Sequence, residues 1–155
     1  MSVSRLKARV RFAKVFKVAC LYEHVLKFHK KSKDGSGKCD AVKTDISDDV
    51  VWGVVFEIDK EKIKILNRYE GKGSGYEIKE VLLIGDDDKE IKAFTYYATE
   101  KDPSKKPYHW YKEHVLRGAQ QNGLPSDYIQ KIKLIESIED PDSERCKREM
   151  EIDKK

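Results

Sequence analysis

The stretch Val50-Val-Trp-Gly-Val-Val-Phe-Glu-Ile58, followed at once by Asp59-Lys-Glu-Lys-Ile-Lys-Ile-Leu-Asn-Arg-Tyr-Glu-Gly71, decides the fold. Its first half is a nearly unbroken β-branched and aromatic run, the pattern of a strand covered on both faces, and so it reads as a central strand of the sheet. In its second half, Ile63, Leu66 and Asn67 or Glu70 recur at three to four residues, and Asp59 stands where it can cap a first turn. A short helix ending before Gly71 follows from that spacing.

Downstream, Tyr76 to Ile84 and Ile91 to Ala98 read as two strands, and the turn residues Gly85 to Lys89 make them a hairpin. Pro103 and Pro107 break the pattern. From Tyr108 the spacing of Tyr111, His114, Val115 and Gly118 is helical, Gly123 and Pro125 end that helix, and Ser126 opens another. Upstream, Phe16 to Phe28 alternates partially and reads as one or two strands, while Lys30 to Lys38 holds no apolar residue and reads as a loop. Strands first and helices late predict an α+β fold whose sheet curls or closes into a small mixed β-barrel flanked by helices.

With 155 residues, the chain is expected to form one domain, residues 1–139, and a charged tail, residues 140–155, loose or helical. Charged residues make up 39% and aromatics 10%, so the surface is ionised but the chain can fold. Its 32 basic and 28 acidic side chains are interspersed, which argues against a dedicated nucleic-acid partner. A weaker competing reading, polyanion binding through Lys27, Lys30, Lys31, Lys33 and Lys38 with Phe28 and His29 between them, would show a steep salt dependence. Cys20, Cys39 and Cys146 form no metal or disulfide pattern, and the four histidines, His24, His29, His109 and His114, lack ligand spacing, so no metal or cofactor is expected. No run is long and apolar enough to cross or target a membrane, and a cytoplasmic protein is the expectation.

Chemistry concentrates at Glu70, where a carboxylate leaves a helix into a loop with Gly71, Gly73 and Gly75, whose bare backbone lets a ligand approach. An exposed helix-end glutamate beside a simple turn is the competing reading. A dinucleotide motif is excluded, because here a helix precedes the glycines and a strand follows. The loop Ser32-Lys-Asp-Gly-Ser-Gly-Lys38 lacks P-loop spacing and is expected near the same pocket, holding no phosphate. Tyr96, Tyr97, Tyr108, Trp110 and Tyr111 read as core and wall.

Taken in order, Val51-Trp-Gly-Val-Val55, Asn67-Arg-Tyr-Glu-Gly71 with Tyr76, the tyrosine strand, Tyr111 and Gly118-Ala-x-x-x-Gly-Leu-Pro-x-x-Tyr128 resemble the γ-glutamylcyclotransferase family. Ser4 to Val10 and Leu26 to Asp40 resemble bacterial and archaeal members, so the likeness covers about residues 1–137. The resemblance implies a small mixed barrel and cyclisation of a small γ-glutamyl substrate to 5-oxoproline with release of its amine, without cofactor or metal. It implies Glu70 as the acid/base carboxylate, with Gly71, Tyr76 and Tyr111 binding substrate. Members open with a strand ending in a Tyr-Gly-Ser-Asn turn, just ahead of a stretch resembling Met1 to Leu6. The expectation is therefore that the first strand is missing, leaving an open sheet edge that pairs with a second copy or is filled by Val3 to Val15. A non-catalytic ligand- or partner-binding form of the same fold is the alternative implied.

Overall fold

The computed structural model describes residues 13–70 and 72–152. Gly71 and most of Val3 to Val15 lie outside them, so the expectations placed on those residues do too. Among the described residues six strands come before or between four helices: β1 Lys14–Tyr22, β2 His24–Lys31, β3 Gly37–Lys43, β4 Val50–Glu57, α1 Lys60–Glu70, β5 Tyr76–Gly85, β6 Glu90–Ala98, α2 His109–Gln121, α3 Ser126–Lys133 and α4 Ser143–Glu151. This is the α+β arrangement read from the sequence.

Four strands form one sheet in the order β4-β1-β5-β6, and β2 pairs with β3 in a second. Among the described residues β4 therefore sits at an edge, hydrogen-bonded to β1 alone, and its expected central position is corrected. Its continuous apolar run reports two covered faces, which an edge strand can also have. Val51 and Trp52 pack against the α2–α3 cluster of Leu116, Ala119, Leu124, Tyr128 and Ile132, whereas Phe56 packs against Leu66 and Ala13.

Among the described residues the sheet does not close into a barrel, and the reason lies at its middle. β1 and β4 pair over most of their length, and β5 and β6 pair from Tyr76–Ala98 to Ile84–Glu90, but β1 meets β5 only at Ala19–Gly85 and Cys20–Ile84. From that short seam the two ribbons splay, and an apolar cleft of about 610 Å³ opens between them.

The expected pair of strands between Phe16 and Phe28 is interrupted by a single residue, Glu23, in the left-handed region at φ 57°. Only Ser32 to Ser36 of the expected loop is irregular. Strand β3 begins at Gly37, where any Cβ would lie 2.0 Å from the Phe28 carbonyl oxygen, so the close approach of these chains requires glycine.

Helix α4 gives the C-terminal segment the helical of its two expected forms. Asp142 caps it by accepting from the Arg145 backbone N–H. The Arg145 side chain forks onto the Asp140 carboxylate, which also accepts from Trp110 Nε1 at 2.8 Å, tying α4 to α2. The Arg145 partner, followed by its backbone and Trp110 donors, holds the Asp140 carboxyl well below the usual range.

Candidate active site

The cleft is lined by Phe16, Leu21, Val55, Leu83 and Phe94 among other apolar side chains from β1, β4, β5 and β6, and α1 contributes Leu66 and Glu70. Helix α1 brings Glu70 there because Leu66, buried at 4%, anchors the helix on the sheet and Glu70 follows one turn later on the same face. Glu70 is half-buried. Its neighbour is Tyr96, whose phenol is pushed up to about 12, first by burial and then by the Glu70 charge. The Tyr96 hydroxyl donates to Asn67 Oδ1 at 2.6 Å, so β6 is fastened to α1 one turn before Glu70.

Tyr76 and Tyr111 converge on Cys39 rather than on this cleft. The Tyr76 hydroxyl donates to the Cys39 carbonyl at 2.6 Å, the Cys39 N–H donates to the Tyr111 hydroxyl at 3.2 Å, and neither tyrosine lines the cleft. Burial drives the Tyr111 phenol well above its ordinary value. The Cys39 residue is only partly buried, but its thiol is enclosed, and desolvation pushes it up to about 11.

The Ser32 to Lys38 loop is also elsewhere, which corrects its expected place beside the pocket. None of its residues lines the cleft. Its Asp34 carbonyl accepts from the Tyr108 hydroxyl at 2.7 Å, Gly37 donates to Lys106, and the Lys38 ammonium lies 4.7 Å from the Trp110 ring and 4.5 Å from the Tyr111 ring. Lys38 also donates to Asp34 and Ser36, at 2.8 Å each.

These contacts make Asp34 acid-sensitive. Burial acts to raise its carboxyl, but donation from Lys38 and Ser36 outweighs it and lowers the group from 3.8 to about 2. A depressed carboxyl stabilises the fold above its unfolded value and loses that contribution as pH falls through the folded value. Asp34→Asn should therefore cost about 2 kcal/mol at pH 6, and the deficit should shrink towards pH 2 in urea melts. A deficit that does not change over that range would contradict the assignment.

Two further residues were not singled out from sequence as site residues. Tyr96 was read as wall, although its alternation with Tyr97 on β6 could have placed one of them against α1; Glu57 adds a second carboxylate to the cleft lining. Among the described residues no group of three or more His, Cys, Asp or Glu side chains is placed to hold a metal, and no helix is long and apolar enough to cross a membrane.

Residues 50–132 match the AIG2-like family. The chain belongs to that family. Its curated relatives include the γ-glutamylcyclotransferases of Homo sapiens, 39% identical over 89 residues, and Mus musculus, 39% identical over 92 residues. These matches cover 57% and 59% of the chain but 47% and 48% of the relatives, so the chain spans about half the length of the curated relatives it matches. Among solved structures, a γ-glutamyl cyclotransferase superposes with TM-score 0.87 at 30% identity, covering 99% of this chain and 93% of that one. An uncharacterized human protein gives 0.86 at 30% identity, covering 97% and 92%. YkqA from Bacillus subtilis shares the fold alone, with TM-score 0.71 at 17% identity over 87% of this chain and 49% of that one. The resemblance read from Val51–Val55, Glu70 and Gly118–Tyr128 is thus borne out for the family.

Proposed function

We propose that this chain is a γ-glutamylcyclotransferase-type enzyme that cyclises a γ-glutamyl amine or γ-glutamyl amino acid to 5-oxoproline, with Glu70 as its acid/base group. The observation that carries the reading is the half-buried Glu70 carboxylate on the wall of a large apolar cleft. The curated relatives named γ-glutamylcyclotransferase support it.

Glu70 removes a proton from the substrate's α-ammonium, and the freed amine attacks the γ-carbonyl carbon to close a five-membered ring. As the tetrahedral intermediate collapses, the C–N bond to the leaving amine breaks, that nitrogen takes the proton back from Glu70, and the second proton of the ring nitrogen passes to the released amine, which departs as its ammonium. One carboxylate serves as base and then acid, so no group needs resetting. The reacting amine and carbonyl already belong to one molecule, and the cleft has only to hold them at attack distance. Its apolar walls strengthen any interaction with developing charge by keeping water away. Tyr96 and Gly71 complete the proposal as substrate-positioning groups, with Tyr96 on the Glu70 side, while Tyr76 and Tyr111, held at Cys39 away from the cleft, are left without that role.

The test is to incubate the chain with γ-glutamyl-alanine and with a γ-glutamyl alkylamide, and to quantify 5-oxoproline and free amine together. Equimolar release of both supports the reading. Saturable binding of the substrates without release would favour the non-catalytic alternative, and neither binding nor release would remove both.

A further inference from the structure

A second cavity, of about 450 Å³, lies away from Glu70 and is lined by residues of β1, β2, β3 and β5, His24 and Lys79 among them. At its inner end His24, on β2 and 6% exposed, lies with Nδ1 2.7 Å from the Tyr22 carbonyl oxygen. A carbonyl can only accept, so Nδ1 carries the hydrogen, and in the neutral ring Nε2 carries the lone pair. That lone pair faces the Lys79 Nζ at 3.0 Å.

We propose that Lys79 is a reactive amine, activated by His24, that condenses with a small apolar aldehyde entering this cavity. Lysine in the middle of a strand usually extends to water; here the side chain is half-buried between β5 and the β2–β3 sheet. Its surroundings disfavour the ammonium, first through desolvation and then through Lys101 and Lys43, with Asp40 acting in the opposite sense. The Tyr97 ring lies 5.7 Å from Nζ. Lys43 is itself paired with Asp45 at 2.7 Å, and Glu23 and Glu80 line the opening. Those two acids repel anionic carbonyl compounds, while Leu21, Val81, Leu82 and Ile84 favour a neutral apolar one.

The chemistry balances without an oxidant. The Lys79 ammonium passes a proton to His24 Nε2, and the free Nζ adds to the aldehyde carbon, giving a carbinolamine. The protonated His24 returns the proton to the carbinolamine hydroxyl, water leaves, and an iminium at Nζ carries the single positive charge with which the step began. Glu70 takes no part, so this inference stands apart from the proposed cyclisation.

The experiment is reductive trapping. The full chain is incubated with butanal and sodium cyanoborohydride, and alkylation at each lysine is read by peptide mass spectrometry. At pH 7 Lys79 should be labelled about tenfold faster than the exposed Lys60 and Lys64, and its rate should begin to rise at a lower pH than theirs. In His24→Gln the advantage should vanish. Should that variant not fold, the wild-type pH profile decides, with Lys60 and Lys64 as internal references. Labelling of Lys79 at or below the rate of those two, or with the same pH dependence, overturns the proposal.

Discussion

Glu70→Gln should lower 5-oxoproline release by about a thousandfold while leaving the fold as stable as before. Glutamine matches glutamate in volume and can still occupy the cleft wall, but it can neither take the α-ammonium proton nor return one to the leaving nitrogen. Positioned proton transfer typically contributes about 10²–10⁴-fold, and here a single side chain carries both transfers. Because the group acts on the reacting atoms, the loss should fall on kcat with KM little changed. Stability gives an independent control. Glu70 is the last residue of α1, at the negative end of the helix dipole, so the helix end tolerates a neutral side chain there, and a thermal melt of the variant checks that it is folded. Glu70→Asp retains the carboxylate but draws it back by one methylene, and should keep a measurable fraction of the rate. Undiminished release by a folded Glu70→Gln chain would refute the role of Glu70 while leaving the family membership untouched.

How far the sequence could be read depended on which physical signal each element carried. The β5–β6 hairpin was legible because alternation and the Gly85 to Lys89 turn agree; the turn closes as Gly85 and Lys89 bond and Asp88 takes φ 60°. Helix α2 was legible for a similar reason: periodic apolar residues end at Gly123, whose φ of 65° only glycine adopts freely. Strand β4 was recognised as a strand but misplaced in the sheet. An apolar run counts covered faces, whereas a strand's place in a sheet depends on hydrogen-bonded neighbours, which side chains do not encode.

Strand β3 escaped the reading because Lys38 and Asp40 interrupt its apolar pattern. Both are accommodated by distant partners, Lys38 by the rings of α2 and Asp40 by β2 and β6. The site divides along the same line. Glu70 could be found because a carboxylate, a helix end and a glycine-rich loop are adjacent in sequence. Its neighbour Tyr96 was legible only down to a choice between Tyr96 and Tyr97, since a contact across 26 residues depends on how β6 packs on α1. Likewise, the convergence of Tyr76 and Tyr111 on Cys39 is a product of three elements meeting, and no local pattern announces it.

Asp40→Ala should destabilise the chain by about 3–5 kcal/mol, a larger loss than any other substitution considered above. The Asp40 residue is 3% exposed and joins the two sheets: Oδ1 accepts from the Ala98 backbone N–H at 2.9 Å, and Oδ2 faces His29 Nε2 at 2.8 Å and the Lys101 ammonium at 3.5 Å. Truncation leaves the Ala98 N–H, on a residue only 1% exposed, without its acceptor, and leaves His29 facing a void. The backbone at that point is the end of β6, so β3 and β6 should separate there, and the damage should spread to the β2–β3 sheet that β6 supports. Asp40→Asn distinguishes this account from a simple loss of charge. Its amide oxygen can still accept from Ala98, and its amide nitrogen can donate to His29 if that ring changes tautomer, so about half of the loss should be recovered. In a chain of 155 residues each kcal/mol moves the melting temperature by roughly 2–4 °C, which places Asp40→Ala about 10 °C below the parent chain. Urea melts of the three proteins would show this order, parent above Asn above Ala. If Asp40→Ala fell within 1 kcal/mol of the parent, the buried carboxylate would not be what holds the two sheets together.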